Sequence, residues 1–370
     1  MRTDRREFLG RCARGAAAMP LIGSVVANPL RAAVDSGPSR IQVDLDRPTH
    51  AIDRNIYGLF AEHLGRCIYG GVYQEGSPLS DAEGFRKDVK KALKELEVPT
   101  IRWPGGFFAT YYHWQDGVGP KASRPKKLNI PWKQTESNRF GTDEFIAYCR
   151  QLGAEPQIVV NCLNGTVEEA LGWLEYCNLS THTHYANLRR KHGHDRPFGV
   201  KYWELDNEVW AFYPPNERGA TDYADRAYLF GRSMKHVDPS IQLTACGLAQ
   251  PEWDRPMLQR LAPVIDYVAI HQYVGESPDR YREVLGTSRT LEHMIQRTRE
   301  VIEDVLAEQK LNKKIGIAFN EYHIMREWSS GAGPGDHRFG RSFNLRDALW
   351  LATVRNLVQR NADVVKCANN

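Results

Sequence analysis

The feature that most constrains this chain is a regular alternation of short apolar runs with longer helical patterns from about residue 50 onward. The runs fall at residues 56–61, 100–103, 157–161, 201–205, 242–245, 267–271, 315–319 and 364–367. Seven helical segments separate them. The first carries Phe85, Val89, Leu93 and Leu96 at helical spacing, and the sixth carries Ile295, Val301, Ile302 and Val305, so each offers one apolar face to a sheet. Thr166 and Glu169 have the spacing of a capping box opening the third, at 166–176. Strand and helix in alternation specify an α/β fold with a parallel sheet and crossover helices, and eight strands specify a (β/α)8 or TIM barrel. A doubly wound open sheet is the alternative, but neither G-x-G-x-x-G nor a P-loop follows the first strand. Only Ala368-Asn369-Asn370 follow the last run, so the barrel reads as truncated after its eighth strand, lacking the last helix. The expectation is an apolar patch there, exposed or covered by another chain.

Residues 1–33 read as an export signal. Arg5-Arg6 precede Phe8-Leu9, a mildly apolar stretch covers 16–26, and small residues near Ala27 or Ala33 suit cleavage. The pattern is that of a twin-arginine (Tat) leader, which predicts a periplasmic or secreted protein. No other run approaches the ~20 apolar residues of a membrane span, so no membrane association is expected after signal removal. Residues 34–50 form a separate segment: 39–47 alternate like a half-exposed strand that needs a partner outside the barrel. The barrel itself is assigned to 51–370. The formal charge is only +4 and the basic patches at 124–127 and 189–196 lack interleaved aromatics, which argues against a nucleic-acid partner. The seven cysteines show no C-x-x-C spacing, so neither a metal cage nor a disulfide framework is expected. His182-Thr183-His184 and His192-Gly193-His194 read as a solvated loop before the fourth strand, since no further ligand is obvious.

Active sites of such barrels lie where strands end. Glu208 and Glu321 stand at the ends of the predicted fourth and seventh strands, and a pair of carboxyl groups across a barrel mouth is what glycoside hydrolysis requires. Nine Trp and sixteen Tyr suit the apolar faces of sugars, although core packing accounts for most of them.

Around these two residues the chain resembles the family 51 glycoside hydrolases, chiefly α-L-arabinofuranosidases. The strings that carry the resemblance run from Gly58-Leu59-Phe60-Ala61-Glu62-His63-Leu64-Gly65 through Arg102-Trp103-Pro104-Gly105-Gly106 and Tyr112-His113-Trp114-Gln115-Asp116-Gly117. They continue with Trp203-Glu204-Leu205-Asp206-Asn207-Glu208, His271-Gln272-Tyr273 and the strand ending in Glu321. The resemblance implies a retaining mechanism with Glu208 as general acid/base and Glu321 as nucleophile. It further implies that Asn207 binds the hydroxyl beside the anomeric carbon, that Tyr273 donates to Glu321, and that Glu62 accepts hydrogen bonds from the furanose hydroxyls. Arg102 would buttress the pocket floor and Trp114 would stack on substrate or line the entrance, with scaffold packing the equal alternative for both. No metal and no organic cofactor is implied. The expected substrate is an arabinose-containing oligo- or polysaccharide of plant cell walls, cleaved by an exo-acting α-L-arabinofuranosidase, and a homo-oligomer is expected.

Four departures from the family pattern stand out. Phe107 follows Pro-Gly-Gly where Cys or Asn is common, replacing a polar contact by an apolar wall. Asp206 stands where Gly is common, and Asn320-Glu321-Tyr322 replaces Asp-Glu-Trp. The Gln, helix and β-sandwich that usually follow the eighth strand are not in this sequence, and the strand near Val43 would belong to that sandwich. The same catalytic pair also serves β-xylosidases and endoglucanases, and an inactive sugar-binding fragment is the reading from a different class.

Overall fold

The computed structural model describes residues 44, 46–275, 281–325 and 344–370. The chain divides into two compact units, Met1–Thr49 and His50–Asn370. In the first unit the export signal and the strand near Val43 lie outside the described residues, and Asp44 accepts a 2.6 Å hydrogen bond from Arg47 in an exposed turn.

Among its described residues the second unit holds ten strands: β1 (Leu59–Phe60), β2 (Thr100–Trp103), β3 (Lys127–Asn129), β4 (Gln134–Glu136), β5 (Glu155–Val160), β6 (Tyr202–Leu205), β7 (Gln242–Cys246), β8 (Tyr267–Gly275), β9 (Gly316–Met325) and β10 (Val365–Ala368). Eight of them form one parallel sheet in the order β1-β2-β5-β6-β7-β8-β9-β10. The ends of the sheet meet. Asn370 N–H donates to the Gly58 carbonyl at 3.2 Å and Phe60 N–H to the Asn370 carbonyl at 3.4 Å, closing the (β/α)8 barrel. A side chain at Gly58 would sit 2.2 Å from Asn369 Oδ1, so the seam requires glycine there.

The core strands are short, mostly apolar runs buried along nearly their whole length, as a sheet covered on both faces demands. The helices around them are α1 (Lys87–Glu95), α2 (Gly106–Ala109), α3 (Thr142–Leu152), α4 (Val167–Asn178), α5 (His184–Lys191), α6 (Glu217–Val237), α7 (Pro251–Leu261), α8 (Tyr281–Gly286), α9 (Ser288–Glu308) and α10 (Leu345–Arg360). In α9 the expected face is buried: Ile295, Val301, Ile302 and Val305 all lie in the core. The expectation for α1 is corrected. Phe85 lies before the helix, where it bridges to Tyr73, and Leu96 is 66% exposed, so α1 lies on the barrel with Val89, Lys90 and Leu93 half-buried. Thr166 caps α4 by accepting from Glu169 N–H, but the Glu169 carboxylate turns to His113 at 2.9 Å instead of closing the box.

Two further differences bear on the site. β8 and β9 run beyond the barrel wall, paired through Gly275 and Met325, because the polar residues that end their apolar runs continue the ladder. A two-stranded hairpin, β3-β4, is inserted after β2. At the last strand the expected bare apolar patch is not found among the described residues: Val365 and Ala368 are buried, and Lys366 Nζ donates to the Ala362 carbonyl at 2.5 Å.

Candidate active site

The charged floor of the hollow is built from alternate residues of the barrel strands. Arg102, on β2, is fully buried, and a buried guanidinium must find acceptors for its fork of N–H groups. It donates from Nε to Glu204 Oε2 at 2.5 Å and from Nη2 to Glu204 Oε1 at 3.1 Å. Nη1 reaches Glu321 Oε1 at 2.7 Å, and Nη2 also donates to Asn207 Oδ1. Asn320 on β9 supports Glu204 Oε2 at 2.9 Å. Burial would pull the Arg102 pKa down, but Glu204 and Glu321 together hold it above its ordinary value.

The turn after β6 is bent unusually. Asp206 and Glu208 both have left-handed backbones, with φ of 69° and 46°. Non-glycine residues adopt this region at a cost that the surroundings must offset. Here the buried Asp206 carboxylate accepts from Thr110 Oγ1 at 2.6 Å, from Leu163 N–H at 2.6 Å and from Asn207 N–H at 2.8 Å. These bonds hold the turn in a conformation that glycine would enter freely, and they aim Asn207 and Glu208 into the barrel mouth. Asn207 Oδ1 is taken by Arg102, whereas its Nδ2 is buried without a protein partner.

Glu208 and Glu321 converge on His271. Glu208 Oε1 lies 2.8 Å from His271 Nδ1, and Glu321 Oε2 lies 3.8 Å from the same nitrogen. One oxygen of each carboxyl group and a ring nitrogen of His271 all lie within 4.8 Å of one another. Tyr273 O–H donates to Glu321 Oε2 at 2.6 Å. The two acids are driven in opposite directions. Burial and the Glu321 charge push Glu208 up, with His271 and Arg102 opposing only in part. Burial acts on Glu321 in the same sense, but His271, Arg102 and Tyr273 outweigh it and hold the carboxylate below its usual range. Burial would lower His271, yet Glu321 and Glu208 raise it.

Glu62, just past β1, has a buried carboxyl group whose Oε1 accepts from Trp132 Nε1 at 2.9 Å and from Phe108 N–H at 3.2 Å. Burial and the Glu321 charge push it up to about 8, so at neutral pH it is protonated. Glu62 is expected to accept from the furanose hydroxyls, and a protonated carboxyl group can in addition donate from Oε2, the oxygen not engaged by Trp132 and Phe108. Gly106 must be glycine, since a Cβ there would fall 2.0 Å from Glu62 Oε2.

Trp132 belongs to the β3-β4 hairpin, which is anchored from below. His63 Nδ1 lies 2.7 Å from Glu136 Oε2, and Trp103 Nε1–H donates to His63 Nε2 at 3.0 Å. With Nε2 accepting, Nδ1 carries the proton and donates to Glu136. Tyr69 O–H and Asn138 N–H donate to the other Glu136 oxygen at 2.5 and 2.6 Å.

Trp114 is not at the entrance. It is 1% exposed, its indole N–H donates to the Glu169 carbonyl at 3.0 Å, and it packs against Trp173, Tyr176 and Tyr185. The histidine pairs are also placed differently from expectation. His184–Lys191 is a helix, His182 and His184 are exposed on the surface, and His192 Nδ1 meets Tyr176 O–H at 3.0 Å. Among the described residues, the donor set compact enough for a cation is Glu208, His271 and Glu321. Arg102 already neutralises one of its carboxylates at 2.7 Å, which suits proton transfer better than metal binding.

Sequence reasoning assigned no role to His271, Glu204, Trp132 or Glu136. Glu204 was detectable as a charged residue inside an otherwise apolar buried strand, and His271 as a polar residue two positions before Tyr273, on the same strand face.

Comparison with known proteins bears on the family and the fold. Residues 92–289 match the family described as alpha-L-arabinofuranosidase 1 domain. The chain is 41% identical over 341 residues to alpha-L-arabinofuranosidase C of Emericella nidulans, an alignment covering 88% of this chain and 67% of that protein. It is 33% identical to the intracellular exo-alpha-(1->5)-L-arabinofuranosidase 1 of Bacillus subtilis, over 89% of this chain and 68% of that one. The crystal structure of the Thermotoga maritima alpha-L-arabinofuranosidase in complex with arabinose superposes with a TM-score of 0.78 at 42% identity, covering 86% of this chain and 64% of that one. This chain thus spans about two thirds of the length of these relatives. With a (β/α)8 barrel, two convergent carboxyl groups at its mouth and these likenesses, the chain belongs to the family 51 α-L-arabinofuranosidases.

Proposed function

We propose that the protein is an exo-acting α-L-arabinofuranosidase that removes arabinofuranosyl residues from plant cell-wall polysaccharides by double displacement. The observation that carries the reading is the pair Glu208 and Glu321, which approach within 4.8 Å but have opposite protonation tendencies. A retaining pair is separated by about 5–5.5 Å, close enough for direct attack, whereas an inverting pair leaves room for water.

In the first step the Glu321 carboxylate attacks the anomeric carbon while the Glu208 carboxyl proton passes to the glycosidic oxygen. The carbon–oxygen bond to the aglycone breaks, leaving an arabinosyl ester on Glu321. In the second step Glu208, now ionised, takes a proton from water as that water attacks the same carbon and expels Glu321. Tyr273 and Arg102 hold one Glu321 oxygen each, fixing the nucleophile's orientation. Asn207 Nδ2 is the donor for the hydroxyl beside the anomeric carbon, and Glu62 binds a more distant hydroxyl. Trp114 acts as scaffold. No metal or organic cofactor takes part. The substrate enters as an arabinose-containing oligo- or polysaccharide.

We assign residues 1–33 to a twin-arginine leader delivering the protein to the periplasm or beyond, 34–50 to a strand segment outside the barrel, and 51–370 to the catalytic barrel, within a homo-oligomer. No helix among the described residues is long and apolar enough to cross a membrane. The test is hydrolysis of an aryl α-L-arabinofuranoside followed by NMR of the first-formed sugar. Retained configuration is expected. Azide is expected to restore turnover to Glu208→Ala with a retained glycosyl azide and to Glu321→Ala with an inverted one. An inverted sugar from the unmodified enzyme, or unaltered turnover in both variants, overturns the assignment.

A further inference from the structure

Resting on the arabinofuranosidase reading, we propose that Phe107 and Phe212 form a corner that seats the pyranose ring from which the arabinofuranosyl group is cleaved. The two rings meet at 5.8 Å with their planes 89° apart. Each is tied to one side of the hollow. Phe107 follows Gly106, whose α-carbon lies against the Glu62 carboxyl group, and its ring lies 6.4 Å from Trp132, the donor to that carboxyl. Phe212 ends the short 3-10 turn 209–211 that begins at Glu208, with its N–H donating to the Val209 carbonyl at 2.9 Å. Tyr111 backs Phe212 at 6.1 Å, and Phe212 itself is 36% exposed. An aromatic edge therefore runs from the group that grips the furanose to the acid that protonates its leaving oxygen.

The leaving group must depart on the side of Glu208, because the proton it receives comes from there. On that side stands Phe212, four residues after Glu208, with Phe107 against it. A chair pyranose presents a flat face of C–H bonds that packs on an aromatic face, whereas a puckered furanose with its exocyclic carbon presents no comparable plane. Two rings at right angles hold one such ring by face and edge. They do not make a flat track for a chain, so the corner recognises the single backbone unit bearing the branch. The chemistry thus favours an arabinose side chain on a pyranose backbone over a furanose-to-furanose linkage.

The test measures kcat/KM for methyl α-L-arabinofuranoside, arabinofuranosyl-substituted xylotriose and arabinotriose, in the unmodified protein and in Phe107→Ser/Phe212→Ser. The xylotriose conjugate is expected to lose about tenfold, as loss of two aromatic contacts implies, with much smaller losses on the methyl glycoside and arabinotriose. Phe212→Tyr is expected to keep the preference and Phe212→Leu to weaken it, which decides the matter if the double variant does not fold. Equal losses on all three substrates, or the largest loss on arabinotriose, overturn the corner as a pyranose site. If the unmodified protein cleaves none of the three, the arabinofuranosidase reading itself falls.

Discussion

Two neighbouring regions of this barrel bury polar groups under opposite rules. On the floor, Arg102, Glu204, Glu321 and Asn207 are buried together and share hydrogen bonds among β2, β6 and β9. Beside it, the shell of Trp103, Phe108, Tyr112, Phe140 and Phe145 is aromatic and packs around the pair His63 with Glu136. The floor is a network in which every charge depends on another, and its purpose is to fix which carboxyl group carries a proton. The shell is a packed wall with one polar tether, and its purpose is to hold the Trp132 hairpin. Removal of one member should therefore propagate across the floor and stay local in the shell.

The largest effect expected follows from Arg102→Met. It leaves Glu204 and Glu321 as uncompensated buried carboxylates, and breaking a buried pair in this way costs about 3–5 kcal/mol. Chemical denaturation should show that loss. Activity should fall further than stability, because Glu321 then rises toward protonation and ceases to be a nucleophile. A variant as stable and active as the parent would show that the floor is not a connected network. By contrast, Glu136→Gln keeps the shape of the tether but removes its charge from His63 and Tyr69. About 1–3 kcal/mol is expected, the cost of hydrogen bonds to a charged group. The sharper sign is kinetic: KM should rise more than kcat falls, since the hairpin carries Trp132 to Glu62 and not to the reacting carbon. A selective fall in kcat would mean that the tether acts on the catalytic pair.

The same division explains what the sequence made legible. Buried parallel strands are continuous apolar runs, so β2 is expected and found at 100–103, and the other barrel strands differ from expectation mainly at their ends. The ends of β8 and β9 were hidden because Gln272-Tyr273 and Asn320-Glu321-Tyr322-His323, which follow the expected runs 267–271 and 315–319, are largely polar, yet function requires the ladder to continue through them. The β3-β4 hairpin was invisible for another reason: its strands are three residues long and largely polar, below any periodicity. α5 was missed because its apolar face is only Tyr185, Ala186 and Leu188, set among histidine and basic residues and too short to show a period. At the site, residue types at strand ends pointed to Glu208 and Glu321, but their separation depends on closure of the barrel by Gly58 and Asn370, far apart in the chain. Protonation was hidden for the same reason. The state of Glu62 is set by burial and by a charge more than 250 positions away.

The contrast is sharpened by Glu62→Gln, because Glu62 faces the floor but is held by the shell. Glutamine imitates the protonated acid, so the variant is expected to keep most of its activity at pH 6–7, where the ordinary carboxyl group, raised to about 8, is already neutral. The difference should appear above that range. In the parent, ionisation near pH 8 places a second negative charge close to Glu321 and reduces activity, and the variant should hold its rate further into alkali. Identical alkaline limbs would assign that limb to Glu208 alone.

Asp254 gives the smallest effect on activity and isolates burial from catalysis. It lies in α7, its Oδ1 accepts from Leu248 N–H at 2.8 Å, and its Oδ2 is buried without a protein partner. Burial pushes it up to about 7 against the ordinary value of 3.8. The folded state thus holds a proton that the unfolded chain has already lost between those two values. The stability this group contributes is complete below about pH 3.8 and declines as pH rises through about 7. Asp254→Asn cannot ionise, so its melting temperature should gain on the parent between pH 5 and pH 8, with kcat/KM unchanged because the residue touches none of Glu208, Glu321 or Glu62. Parallel melting curves for the two proteins across that interval would mean that Asp254 is ionised in the folded barrel, held by backbone N–H groups strongly enough to overcome its burial.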